Sequence, residues 1–450
     1  MLGITFIYIF LPITLFIHQQ APMKRKNAVL FASSLLLYGW CDPTLLLALI
    51  FSLPFNYFFG LSLERQERPL RRKLLLAAGI FGNLLPWGFY KLAPFLSERL
   101  AFPCWPSPLP AVLGFSLYTV QAVGYLTDIF RGESRAQTSF IAYSVFAAMF
   151  PKMPAGPALR SQEVRHELAR RPLGLTGQAD GVWRFTMGLA KKLLLADSLS
   201  GAWRQLEALP RPGAAAAWLG IAIFGLALYF ELSSLCDMAV GLGKLLGFSL
   251  PESFELPYTA LSLRDFWRRW QGSLYSFLKT NLPFNQKAPL KAFFLVLAGC
   301  IAGLCYGFHW TALAWGGCHG LLLAGERCLW GKALEKAPPA LRRGVTLLLV
   351  LLGWALLSSK DAAGLWEMFG ALFGKNGGGL RQALSLASCC WFALVLAWAE
   401  ALGGIKRLGR WLQSKSPRLM EILRPIAAAV LMLLCTAFLV GAPAAPLLLG

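Results

Sequence analysis

The sequence predicts an all-α polytopic membrane protein, and three observations predict it. Of the 450 residues, 56% are hydrophobic and only 14% charged, where a soluble domain carries about 25% charged residues. Apolar windows of the roughly 17–25 residues needed to cross hydrocarbon recur from the first residues to the last. Most of the basic residues behind the net charge of +21 sit in short connections between those windows.

The windows fall near 3–20, 28–41, 44–63, 74–96, 110–130, 139–154, 183–200, 214–247, 290–306, 310–331, 341–358, 386–403 and 425–448. About eleven transmembrane helices are expected, with the surplus as re-entrant or buried half-helices. The opening MLGITFIYIFLPITLFIHQQ has no basic n-region and no small-residue cleavage site, so it reads as a retained first span. Basic connections at Met23–Lys26, Glu64–Lys73, Arg160–Arg171 and Lys406–Arg410 are read as cytoplasmic by the positive-inside rule. Topogenic charge accounts for this basicity, and no nucleic-acid partner is expected. The ten cysteines lie almost entirely in apolar windows without C-x-x-C spacing. They read as small apolar filler rather than a disulfide framework or a metal site. No polar linker interrupts the succession, which predicts one integral membrane domain over 1–450.

A polar interval, 251–292, contains SLRDFWRRWQGSLYSFLK from Ser262 to Lys279. Helical spacing puts Leu263, Phe266, Trp267, Trp270, Leu274, Phe277 and Leu278 on one face, with Arg264, Asp265, Arg268, Arg269 and Lys279 opposite. Such a helix suits the headgroup boundary. Gln271, about 80° from Leu263 on the helical wheel, lies at the border of the faces and can point into protein.

WTALAWGGCHGLLL (Trp310–Leu323) places one of only four histidines, His319, in an otherwise apolar window. Polar groups at membrane depth tend to line a bundle interior or a wet cavity. Gly316, Gly317 and Gly320 let backbone or substrate come close. The bland reading is a histidine satisfied by a carbonyl on a neighbouring helix. His309, ten residues earlier, falls about 15 Å away along one continuous helix, so the two cannot share a metal ion. Asp237, six residues after Glu231 in another apolar window, needs a partner or a proton. Bracing between helices and catalysis both fit it. FPKMPAGP (Phe150–Pro157) reads as a broken helix end, because its three prolines each remove a backbone donor.

Six blocks in order carry a resemblance. They are LLLYGWCDPTLLLALIFSLPFNYFFG (Leu35–Gly60), YLTDIFRG (Tyr125–Gly132), MFPKMPAGP (Met149–Pro157), YFELSSLCDMAVGLGKLLGFSLPESFELPY (Tyr229–Tyr258), SLRDFWRRWQGSL (Ser262–Leu274) and WTALAWGGCHGLLLAGER (Trp310–Arg327). Together they resemble the membrane-bound O-acyltransferase family, and within it the bacterial alginate O-acetyltransferase branch. The resemblance implies a ring of helices around a thinned central cavity, where a cytoplasmic donor and an outer acceptor meet. His319 matches the family's invariant histidine and is the implied catalytic residue. As general base it takes a proton from an acceptor hydroxyl attacking an acyl thioester, for which a near-neutral pKa is needed. Trp270, Gln271, Tyr306, His309 and Asp237 are the expected substrate-positioning residues.

The chain departs from the family at three places. Gln271 stands where relatives carry the histidine of WRRWH, and Tyr306 where they carry that of GLWHG. Lys279, Thr280 and NLPFNQK replace an arginine–aspartate pair and a glycine-rich loop. Glutamine and tyrosine can still hydrogen-bond but do not titrate near pH 7, so positioning roles persist and a second proton transfer does not.

The implied function is transfer of an acyl group, acetyl by preference, to hydroxyls of a cell-envelope or exported polysaccharide. The donor is a substrate such as acetyl-CoA or an acyl carrier; no tightly bound cofactor and no metal are expected. The implied partners are the lipid bilayer, the glycan acceptor and an extracytoplasmic accessory acyltransferase, at the bacterial cytoplasmic membrane. The alternatives are D-alanyl transfer to teichoic acid, a catalytically altered paralogue, and a transporter. The last is disfavoured by the lack of internal repeats.

Overall fold

The computed structural model describes residues 3–100, 113–152, 156–171, 174–282, 288–307 and 309–441. Among them every regular element is helical. Two compact units divide the chain: Met1–Phe185 with Met238–Pro251, and Thr186–Asp237 with Glu252–Gly450.

Five helices among the described residues are long and apolar enough to cross a bilayer: Pro43–Arg65, Ala214–Leu245, Pro339–Ser358, Leu380–Ala401 and Pro417–Gly441. They fall on the expected windows at 44–63, 214–247, 341–358, 386–403 and 425–448, the last of which runs beyond the described residues. The chain is a multi-pass membrane protein. Ala214–Leu245 differs from the other four, because 89% of its apolar window is buried, against 11–33% for theirs. Its 32 residues extend about 48 Å, well over the roughly 30 Å of hydrocarbon. Protein rather than lipid therefore covers this helix.

In the first unit the expected span at 139–154 is a helix of only nine residues, Phe140–Ala148. It stops because Met149 turns extended (ψ 133°) and Pro151 disfavours helical geometry at Phe150. Side chains satisfy the freed end: Tyr38 Oη donates to the Ala148 carbonyl at 2.8 Å, Gln121 Nε2 to that of Phe146 at 3.0 Å, and Phe150 N–H to Ser34 Oγ at 3.0 Å. Phe150–Lys152 and Gly156–Pro157 are non-helical, as a broken helix end requires. Met153–Ala155 of that motif lie outside the described residues, as do residues 283–287 of NLPFNQK.

In the second unit Ala288–Tyr306 and Trp310–Gly325 form a tight antiparallel pair. Gly299 lies directly on the backbone of Gly316, and Gly320 on that of Val296, so that any β-carbon at these positions would overlap main chain. Small residues at i, i+4 let helices approach this closely in a membrane. The pairing fixes the helix that carries His319, and it meets the expectation for Gly316 and Gly320; a β-carbon at Gly317 would meet only the Cys300 sulfur, at 3.6 Å.

Candidate active site

The segment Ser262–Lys279 is not the continuous helix that its periodicity suggests. Leu263–Arg269 forms one helix and Gly272–Asn281 a second. Between them Trp270 is extended (φ −94°, ψ 116°) and Gln271 left-handed (φ 45°, ψ 52°). A non-glycine residue in that region costs about 1–3 kcal/mol and persists where its surroundings over-determine it. Here the surroundings are the non-helical stretch 253–255: Gly272 N–H donates to the Ser253 carbonyl at 2.7 Å, and Glu255 N–H to that of Arg269 at 3.0 Å. The apolar face also meets protein rather than headgroups. Phe266 and Trp270 are fully buried and stack at 5.5 Å, with Trp354 5.0 Å from Trp270.

The break has a chemical consequence. Trp270 Nε1, which can only donate, gives its hydrogen to Tyr306 Oη at 2.8 Å, and that hydroxyl lies 3.0 Å from Gln271 Oε1. Having accepted from the indole, the hydroxyl directs its own hydrogen to the amide oxygen. The Gln271 amide NH2 is thereby left as the donor end of the side chain.

His319 is 3% exposed, on the helix Trp310–Gly325. Its Nδ1 lies 3.0 Å from the Trp315 carbonyl oxygen, one turn back on its own helix. A carbonyl only accepts, so Nδ1 carries the hydrogen and Nε2 of the neutral ring keeps its lone pair. Trp267 and Trp315 hold the ring from two sides at centroid distances of 5.3 and 5.1 Å. Gly353 completes the seat, because a methyl there would overlap the imidazole at Cε1.

His319 and Gln271 line the same cavity, of about 130 Å³. Trp267, Trp270 and Trp315 form part of its largely apolar wall, and the exposed Lys279 and Arg327 also border it. Tyr306 reaches it through Gln271. Besides Tyr306, two more expected residues are not in its wall. His309 caps the helix Trp310–Gly325: its Nδ1 accepts from Ala312 N–H at 3.2 Å and lies 2.6 Å from Thr311 Oγ1. Asp237 pairs with Lys191 at 3.0 Å, and Lys191 also reaches Glu400 at 2.9 Å. The adjacent Lys192 pairs with Glu231 at 2.6 Å and Asp197 at 2.8 Å. Consecutive lysines in the widened helical turn Lys191–Ala196 thus supply the partners that Asp237 and Glu231 need.

The sequence reasoning passed over these lysines, although a charge pair within the apolar window 183–200 is the same signal that marked Asp237. It also passed over Glu326. That carboxylate, 5% exposed, accepts from Leu263 N–H at 2.7 Å and Arg264 N–H at 3.4 Å. It caps the Leu263–Arg269 helix from the turn that follows the His319 helix. Gly353 carried no signal at all. Among the described residues no group of three or more His, Cys, Asp or Glu side chains is placed to hold a metal ion.

These helices and this cavity define a multi-pass membrane protein with a buried imidazole presented to a mostly apolar pocket. No family model matches the chain. It is 32% identical to the "Probable alginate O-acetylase AlgI" of Pseudomonas aeruginosa, over 82% of this chain and 74% of that protein. It is likewise 32% identical to the protein of the same description from Azotobacter vinelandii, over 82% and 77%. To the "Peptidoglycan O-acetyltransferase" of Helicobacter pylori it is 27% identical, over 83% and 79%. The chain belongs to the family of these proteins, the membrane-bound O-acyltransferases.

Proposed function

We propose that the protein moves an acyl group, acetyl by preference, from a cytoplasmic thioester donor to hydroxyls of a cell-envelope or exported polysaccharide, with His319 as general base. One observation carries the reading: Nδ1 of His319 is committed to the Trp315 carbonyl while the ring borders a cavity shared with Gln271. Nε2 takes the proton of the acceptor hydroxyl as its oxygen attacks the thioester carbonyl. The Gln271 amide donates to the carbonyl oxygen as negative charge develops there, with Tyr306 and Trp270 holding that amide in place. The carbon–sulfur bond then breaks, and the imidazolium returns the proton to the departing thiolate. Lys279 and Arg327 supply positive charge suited to the phosphates of acetyl-CoA or of a carrier's phosphopantetheine.

In this reading the whole chain acts as one integral membrane domain in a bacterial cytoplasmic membrane. About eleven spans ring a thinned centre, and an extracytoplasmic accessory acyltransferase completes delivery. His309 and Asp237 act away from the reacting atoms, by capping and by bracing. The names of the relatives, two alginate O-acetylases and a peptidoglycan O-acetyltransferase, support the glycan class. The test is transfer of labelled acetyl from acetyl-CoA to alginate or peptidoglycan fragments by the protein in nanodiscs, comparing wild type with His319→Ala. Loss of transfer in the variant is expected; equal transfer in both removes the general-base assignment.

A further inference from the structure

The helix Gly404–Lys415, sequence GIKRLGRWLQSK, is the one element of the second unit's C-terminal region that buries no residue. It lies between Leu380–Ala401 and Pro417–Gly441, both long and apolar enough to span. Twelve residues extend about 18 Å, too short to cross a bilayer, so both neighbouring spans end on the same membrane face. At its start Gly403 is left-handed (φ 78°) and packs against the Leu256 side chain. At its end Ser416 N–H donates to the Leu412 carbonyl at 2.9 Å, directly before Pro417. The helix is therefore bounded by a defined turn at each end, between two spans.

Its two faces differ in chemistry. On the helical wheel Ile405, Leu408, Trp411 and Leu412 fall within an arc of about 120°, which among the charged residues holds only Lys415, in the last turn. Lys406, Arg407, Arg410 and Gln413 centre on the opposite side, and the helix contains no acidic residue. Ile405, Leu408 and Trp411 are 39%, 56% and 56% exposed. An apolar face with a tryptophan, backed by a basic face and pinned between spans, has the form of a helix lying in the membrane interface.

We propose that this helix is a binding surface for anionic phospholipid headgroups. Ile405, Leu408, Trp411 and Leu412 sink below the headgroups, and Lys406, Arg407 and Arg410 reach their phosphates from the rim. The charge complementarity decides the occupant. Each cation near an anionic surface contributes about 1 kcal/mol, and no acidic residue on the helix offsets it. A zwitterionic surface offers the apolar term alone.

Amide hydrogen exchange on the full-length protein tests this. Nanodiscs of phosphatidylcholine alone are compared with nanodiscs containing phosphatidylglycerol. Exchange across 404–415 should be at least about fivefold slower in the anionic discs, from a contribution of about 1 kcal/mol or more. High salt should erase the difference, as should the combined variant Lys406→Gln, Arg407→Gln, Arg410→Gln. Exchange of 380–401 reports whether that variant is folded; if it is not, the wild-type lipid and salt comparison decides alone. Equal exchange in the two lipids overturns the proposal. So does a lipid dependence that survives neutralisation in the folded variant, or protection that follows protein concentration instead of lipid, which would mark a second copy as the occupant.

Discussion

His319 Nδ1 and the carbonyl oxygen of Trp315 stand 3.0 Å apart within one turn of a single helix, so the imidazole is oriented by its own backbone. Replacing His319 with alanine or glutamine is expected to lower acyl transfer by about 10²–10⁴-fold, the usual worth of a positioned general base. Thermal stability in detergent should change far less than the rate. A variant that keeps wild-type turnover sinks the assignment.

Tyr306→Phe removes the hydroxyl that takes the Trp270 hydrogen and gives one to Gln271. Two buried polar groups lose their partner, at about 1–3 kcal/mol, which a lowered melting temperature would record. The loosened Gln271 amide should also lower kcat. Gln271→Ala should lower kcat as well, with a smaller stability loss, because its backbone pairing through Gly272 remains. Equal kcat in wild type and both variants would contradict the relay.

Gly353→Ala is expected to displace His319, since the new methyl overlaps Cε1. Adding volume to a packed site costs about 1–3 kcal/mol, and a misaimed base costs rate as well. The measurement is transfer per folded molecule: activity should fall more than yield, and unchanged activity would show that the imidazole has room to spare.

Glu326→Ala leaves the N-terminus of Leu263–Arg269 uncapped on that side. The loss should be about 1–2 kcal/mol, seen as a lower melting temperature. Glu326→Gln keeps a carbonyl acceptor and should recover most of it. Similar losses in both would mean that the charge, not the cap, matters.

Asp265 gives a pH signature. Burial raises its pKa, but hydrogen bonds from Arg269 and Arg268 outweigh that and hold it below the ordinary carboxylate range. A depressed carboxylate stabilises the fold at pH above its unfolded value, about 3.9, and loses that contribution as pH falls through the folded value. Asp265→Asn should therefore be less stable than wild type at pH 7, by a few tenths of a kcal/mol for such helix pairs. The gap should close only below about pH 4. A gap that does not shrink at all as pH falls below about 4 would exclude the ion pairs as its source.

Membrane class and most helix positions were legible in the sequence because apolar length is a direct physical requirement. His319 was legible because a titratable ring in hydrocarbon needs a reason. The break at Trp270–Gln271 was not, because the i, i+3, i+4 pattern runs through it unchanged and only the pairing with Ser253 and Glu255 interrupts the helix. Asp237 announced that it needed a partner without saying which, since Lys191 and Glu400 come from distant parts of the chain. Gly353 was silent, because a glycine among leucines shows what it makes room for only once the His319 helix lies against it.

The Lys191 site also bears on how the chain is made. Lys191 leaves the ribosome first, Asp237 some forty-six residues later, and Glu400 a further 163 residues on. A nascent chain therefore carries a partly neutralised ammonium into the bilayer until its late helices dock. Only docking of the helix that carries Glu400 closes that charge, so the last of these spans to arrive settles a cation that the earlier ones brought in.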